Sequence, residues 1–317
     1  MIRNVQRVIL ALIVATSIVA VAACQKKANV TVLTGGTSGI YYPIGVGISE
    51  LISKNLKNVR SSVQATKATV ENTNLIAQGR GEIALGLADT VTGAYIGDKD
   101  LGFSKPLSKL RAIANMYPNY IQIVARADAG IKTLADLKGK RVSVGAPKSG
   151  TEVNARTIFK AAGLSYDEMT VEFLPYADSV ELMKNRQLDA TLQSSGLGMA
   201  AFRDLAASMS IVFVPVPEQV IDATGNKAYQ VGVIPANTYD GQTVDVQTAK
   251  ISNLLFTSSD VDDETVYEIT KAVFDHLDQL ASAHSAAKSI TLKGAPMKLP
   301  IPMHPGAARY FKEKGVL

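Results

Sequence analysis

The sequence predicts an α/β protein built as two lobes, and three observations predict it. Short β-branched runs alternate with amphipathic stretches, the alternation restarts near the middle of the chain, and the part after residue 23 is long enough for two domains of ordinary size. Strands that alternate with helices imply parallel sheets covered on both faces.

Val30–Leu33 reads as a strand, and Pro43–Lys54 then places Ile44, Ile48, Leu51 and Ile52 at helical spacing. Val59–Ala65, Ile83–Leu87 and Leu110–Ala114 continue as strands, with helical stretches at Val70–Gln78 and Thr90–Tyr95. The pattern then begins again. Tyr120–Ala125 and Arg141–Val144 are strands, and Thr151–Ala162 is a helix with Ala155, Ile158, Phe159 and Ala162 on one face. Thr170–Leu174, Ala190–Leu192 and Ile211–Val214 are further strands, separated by helices near Ser179–Arg186 and Met199–Ala207. The first crossing between lobes falls at Tyr117–Asn119, where Tyr-Pro-Asn interrupts the pattern, and Gln242–Thr257 is the return. One lobe is therefore expected to hold residues 24–118 and 251–317, the other 119–250. Asp262–Ala281 reads as one long helix opened by acids that suit its dipole, followed by a Pro/Gly-rich region and a short helical tail.

Residues 1–23 read as a secretion signal. Arg3 and Arg7 precede Val8–Ala23, an apolar run shorter than the ~20 residues a membrane-crossing helix needs. Val21-Ala22-Ala23-Cys24 resembles the lipobox of bacterial lipoproteins, which implies that Cys24 is acylated and becomes the new N-terminus. Cys24 is the only cysteine, so no intramolecular disulfide can form. The signal holds two of the 33 Lys+Arg and none of the 28 acids, which leaves 31 against 28, about +3, without the dense basic stripe of a nucleic-acid binder. The absence of tryptophan argues against a sugar-stacking site.

Two loops echo each other. Thr34-Gly35-Gly36-Thr37-Ser38-Gly39-Ile40-Tyr41-Tyr42-Pro43 follows the first strand, and Gly145-Ala146-Pro147-Lys148-Ser149-Gly150-Thr151 follows the Arg141 strand. Each joins a strand's carboxyl end to a helix start through glycine and hydroxyl residues. Glycine lets backbone N–H groups approach a ligand, and a helix start carries unpaired N–H groups and partial positive charge. A single such loop is also an ordinary N-cap, but one in each lobe would face a shared cleft beyond the strand ends. Thr37, Ser38 and Gly39, with Gly36 beside them, and Ser149, Gly150 and Thr151 are thus candidate carboxylate-holding groups. Tyr41 and Tyr117 supply walls or hydroxyl donors. Asp89, after the strand Ile83–Leu87, either binds an amino group or caps the next helix, and Gln193 is a ligand donor or solvated.

Enzyme signatures are missing. Gly145–Thr151 lacks a Gly-Lys-Ser/Thr, and there is no Gly-x-Ser-x-Gly elbow. His276, His284 and His304 stand without an HExxH or an acid at ligand spacing, so no metal and no cofactor are expected. Asp189, next to a strand start, reads as structural.

These residues resemble the TAXI group of solute-binding proteins of TRAP transporters. The strongest part is Thr34–Gly45, supported by Asn115-Met116-Tyr117-Pro118, Leu137–Gly145, Ser149-Gly150-Thr151-Glu152 with Asn154-Ala155, and Leu188-Asp189-Ala190. The resemblance implies a type II periplasmic-binding-protein fold, two α/β lobes joined by crossing hinge strands around a ligand cleft. It implies a non-enzymatic, periplasmic lipoprotein that captures a small organic acid, such as glutamate or 2-oxoglutarate, for TRAP membrane permease subunits. The chain departs from the family's pattern at Leu87, where many members have glutamine, and at Gly196-Leu197-Gly198, where Gly-x-Pro is usual. Both positions are expected near the cleft, so the ligand's identity is not carried over. Two other functions stay open: a binding protein for an ABC importer or a sensor kinase, and a hydrolase using Ser38 or Ser149 with Lys148 as base.

Overall fold

The structure, a computed structural model, describes residues 28–317; the segment 1–23 and Cys24 lie outside the described residues. Ten strands form one hydrogen-bonded sheet: β1 (Ala28–Leu33), β2 (Val59–Gln64), β3 (Ile83–Leu87), β4 (Leu110–Arg126), β5 (Arg141–Ser143), β6 (Thr170–Glu172), β7 (Ala190–Ser195), β8 (Ile211–Val214), β9 (Gln230–Ile234) and β10 (Val246–Ser258). The main path runs β2-β1-β3-β10-β4-β7-β5-β6.

The sheet is mixed rather than purely parallel. β1 pairs in parallel with β2 and β3 at one end, and β5 with β6 and β7 at the other. Antiparallel β10 and β4 stand between these groups and join them. β8 adds to β4 and β9 to β10, both antiparallel.

Tyr117-Pro118-Asn119 does not interrupt the chain. β4 runs through it as a single 17-residue strand. Proline cannot donate to a ladder, and the register with β10 shifts between Ser252 and Leu254 next to Pro118. Asn253 at that shift donates from its side chain to the Tyr117 carbonyl (2.8 Å) and to Asn119 Oδ1 (2.7 Å), so side-chain bonds reinforce the irregular ladder.

The helices are α1 (Tyr41–Asn55), α2 (Thr69–Ala77), α3 (Ala88–Ile96), α4 (Gly150–Ala161), α5 (Tyr176–Lys184), α6 (Ala200–Ser208), α7 (Glu218–Ala223), α8 (Asp263–Phe274), α9 (Leu277–Ala283) and α10 (Pro305–Glu313). Pro43 fits in α1 because the first turn has no intrahelical acceptor to lose. Gly45 allows α1 to lie on β1, since a Cβ there would stand 2.3 Å from Thr34 Cγ2.

The expected long helix over Asp262–Ala281 is two helices. Asp262 caps α8 by accepting from the Thr265 N–H at 2.8 Å. At the other end the His276 ring takes the Ala272 carbonyl at 2.9 Å, and α9 starts afresh.

Alternation along the strands divides the core by sheet face. Val32, Leu85 and Ile113 pack with Ile44 and Ile48 of α1, Met183 of α5, Phe202 of α6, Ile269 of α8 and Phe311 of α10. Leu33, Ala84 and Phe256 pack on the other face with Ile76 of α2, Val91 of α3, Phe159 of α4 and Ile221 of α7. Each layer runs across both ends of the sheet. Asp189 is structural, as expected. It takes Arg141 through Nε at 3.0 Å and through Nη2 at 2.6 Å, with Arg126 at 3.4 Å, and these cations hold its carboxyl below the usual range.

Candidate functional site

A cavity of about 160 Å³ opens where the two ends of the sheet face each other. Four helix starts meet on its wall: α1 at Ile40 and Tyr41, α2 at Ala68 and Thr69, α4 at Ser149 and Gly150, and α5 at Pro175 and Tyr176. The first N–H groups of a helix have no intrahelical acceptor. Only α4 has a side-chain cap, Ser149 Oγ accepting from the Glu152 N–H at 3.1 Å; Ile40, Ala68 and Pro175 provide none. The wall therefore gathers the positive ends of four helix dipoles.

The approach of the two sides is close. A Cβ on Gly150 would stand 2.7 Å from Leu87 Cδ1 and 2.8 Å from Thr69 Oγ1, so only glycine lets α4 come this near α2 and β3. A Cβ on Gly39 would stand 3.5 Å from the Tyr176 ring. The Glu71 N–H donates to the Lys148 carbonyl at 3.3 Å. Two non-glycine residues beside the cavity adopt positive φ, Ala68 at 74° and Lys148 at 63°. Such backbone is held only where surrounding contacts impose it and gathers at ligand clamps.

A chain of buried hydrogen bonds runs from the cavity wall through the crossing strands. Tyr41 donates to Asn253 Oδ1, and Asn253 donates to Asn119. Asn119 donates to the Ser194 carbonyl at 3.0 Å, which also accepts from the Tyr176 hydroxyl at 2.6 Å. Ser194 Oγ donates to Asn154 Oδ1 at 2.6 Å, and Asn154 donates to Asp89 Oδ2 at 2.7 Å. The Tyr229 hydroxyl donates to the same Asp89 oxygen at 2.8 Å.

Burial pushes the Asp89 carboxyl up against the pull of these donors. Burial also pushes the Tyr176 phenol up to about 12, so it stays a donor at neutral pH, with Thr151 Oγ1 2.6 Å away. Tyr41 and Tyr117 are raised as well, again by burial first.

Of the residues singled out in the sequence, Gly36, Ser38, Gly39, Tyr41, Ser149, Gly150 and Thr151 meet on the cavity wall. The others lie elsewhere. Thr37 is exposed and off the wall, because the loop turns at Gly36, whose carbonyl accepts from the Gly39 N–H. Asp89 is buried off the wall in the first turn of α3 rather than at its N-cap, with its carboxylate engaged by Asn154, Tyr229 and Thr90. Tyr117 is fully buried, its ring 6.5 Å from that of Tyr41, and its hydroxyl has no hydrogen-bond partner among the described residues. Gln193 is buried rather than solvated and donates to the Tyr176 carbonyl at 3.4 Å.

Sequence reasoning missed Lys67, Thr69, Asn119, Tyr176 and Ser194 on the wall, with Asn154, Tyr229 and Asn253 behind it. Of the two positions expected near the cleft, Leu87 lies on the cavity wall and Gly196-Leu197-Gly198 does not. Of the two serines in the hydrolase reading, Ser149 Oγ serves as a cap beside an exposed Lys148, and Ser38 lines the cavity, where no histidine stands among the described lining residues. Among the described residues, no cluster of His, Cys, Asp or Glu is placed to hold a metal ion.

Two groups of parallel strands joined by antiparallel crossing strands, with helix starts converging between them, make the fold of the periplasmic binding proteins. The chain belongs to the NMT1-like family, which matches residues 32–315. Solved structures share its fold at low identity. One from Bordetella bronchiseptica RB50 is 15% identical, with 92% of this chain and 99% of that chain covered and a TM-score of 0.58. MatC from Rhodopseudomonas palustris with bound malate is 13% identical, with coverages of 91% and 96% and a TM-score of 0.57. A putative L-cystine ABC transporter from Listeria monocytogenes is 14% identical, with coverages of 81% and 94% and a TM-score of 0.51.

Proposed function

We propose that this chain is an extracytoplasmic solute-binding protein that captures a small organic carboxylate and delivers it to a TRAP-type membrane transporter. The observation that carries the reading is the convergence of four helix starts on one cavity, two from each end of the sheet. Unpaired N–H groups and hydroxyls there can replace the water hydrogen bonds of a carboxylate, and closing around it removes competing solvent. Gly36, Ser38 and Gly39 act from one lobe, residues 24–118 with 251–317, and Ser149, Gly150 and Thr151 from the other, residues 119–250. Tyr41 forms wall, with Tyr117 packed edge-on behind it, and Asp89 and Gln193 also act from behind the wall. The malate bound by MatC on the same fold supports a carboxylate.

The protein works in the periplasm, held at a membrane by a lipid on Cys24. Labelling with a radioactive fatty acid, lost in Cys24→Ala, tests the anchor. An ABC importer is the second partner class, since the Listeria neighbour on this fold is described as one. Reconstituted uptake with the cognate permease separates the two: TRAP transport follows an ion gradient, and ABC transport requires ATP.

The capture step is tested by thermal unfolding of protein refolded from denaturant, which strips carried-over ligand. A ligand selective for the folded state raises Tm by mass action, about 2.7 kcal/mol at a hundred times Kd. No shift across mono- and dicarboxylates, oxo acids and amino acids would overturn the reading.

A further inference from the structure

We infer that the cavity selects an acid with one negative charge, no ammonium group and a short apolar body, and that Lys67 reads the charge. The inference rests on the small-carboxylate reading and narrows it. Among the described residues, the wall carries a single formally charged side chain, that of Lys67. Lys67 is exposed; its backbone N–H donates to Glu71 Oε2 at 2.6 Å, but its ammonium makes no ion pair with any described carboxylate and is free to meet a ligand. Among the described residues no arginine, histidine or acid lines the cavity, and most of the remaining surface is apolar or small, with Ile40, Leu87, Ala146 and Pro175 contributing.

One carboxylate can be matched by Lys67 and the helix starts. A second would have only uncharged N–H groups and hydroxyls to replace its water, with no second cation on the described wall, and burying an unpaired charge is costly. An ammonium group would need an anionic or carbonyl acceptor. Asp89 Oδ2 is taken by Asn154 and Tyr229, the Ser194 carbonyl on the wall by Tyr176 and Asn119, and Gln193 Oε1, though without a partner among the described residues, is buried off the cavity lining. The volume suits roughly six to ten non-hydrogen atoms, on the scale of the cavity of about 150 Å³ that holds benzene.

Isothermal titration of refolded protein with a matched five-carbon set tests this: 2-oxovalerate, 2-oxoglutarate, norvaline and glutamate. The expected result is that 2-oxovalerate binds at least tenfold more tightly than the other three. Lys67→Gln should weaken it several-fold and flatten its dependence on salt, while the unliganded Tm stays put. Tighter or equal binding of 2-oxoglutarate or glutamate would overturn the charge rule and leave small-acid capture standing. Unchanged affinity in Lys67→Gln would overturn the role of that residue. Failure of all four, and of every acid in the thermal screen, would sink the capture reading itself.

Discussion

Asn154 donates from Nδ2 to Asp89 Oδ2 at 2.7 Å, tying α4, which follows β5 at one end of the sheet, to α3, which follows β3 at the other. The tie is buried and Tyr229 shares it. Asp89→Ala leaves two buried donors without their acceptor, at about 1–3 kcal/mol each. Because the bond joins the two sides of the cavity, the loss should appear as faster ligand release together with a lower Tm. Stopped-flow dissociation of a bound acid checks it, and an unchanged release rate would show that the tie has no part in closure.

The same carboxylate gives a pH signature. Its folded pKa is raised by burial above the ordinary value of about 4. Between those two pKa values the folded state binds more protons than the unfolded state, so the contribution of Asp89 to stability falls as pH rises. It is fully present below the unfolded pKa and lost as pH passes the folded one. Asp89→Asn removes the titration, so the variant should gain stability relative to the parent over that interval. Paired Tm measurements from pH 4 to 8 read the difference, and parallel curves would contradict the raised pKa.

Gly150→Ala should separate closure from folding. Alanine is well tolerated at a helix start, yet its Cβ would press on Thr69 and Leu87 across the cavity. The unliganded Tm is expected within a few degrees of the parent, with ligand affinity reduced at least tenfold. Calorimetric titration beside a melting curve checks both halves.

Ser149→Ala tests the capping role. Losing the Oγ acceptor for the Glu152 N–H should cost typically about 1 kcal/mol, with a proportionate fall in Tm. Ester hydrolysis that was present in the parent and vanished in this variant would revive the nucleophile reading.

The alternation of strands and helices was legible because each element has a clear apolar period, and β1 with α1 or β5 with α4 fell within a residue or two of expectation. Tyr117-Pro118-Asn119 misled because the shift that accommodates Pro118 lies in β10, more than 130 residues away in sequence. The loops before α1 and α4 announced themselves through glycine and hydroxyl residues. Those before α2 and α5 did not: Ala68 holds a positive φ without being glycine, and Pro175 stands at an N-cap without a polar side chain. Asn119, Asn154 and Asn253 are single polar residues whose partners are fixed only by sheet order, so nothing local distinguished them from solvated ones.

Small-angle X-ray scattering of the refolded protein, with and without a saturating organic acid, tests the central claim that two lobes close on a small anion. The account predicts a smaller radius of gyration in the presence of the acid for the parent, and a reduced change for Gly150→Ala. An unchanged radius at proven saturation of the parent would contradict closure, and the absence of any saturating acid would contradict capture.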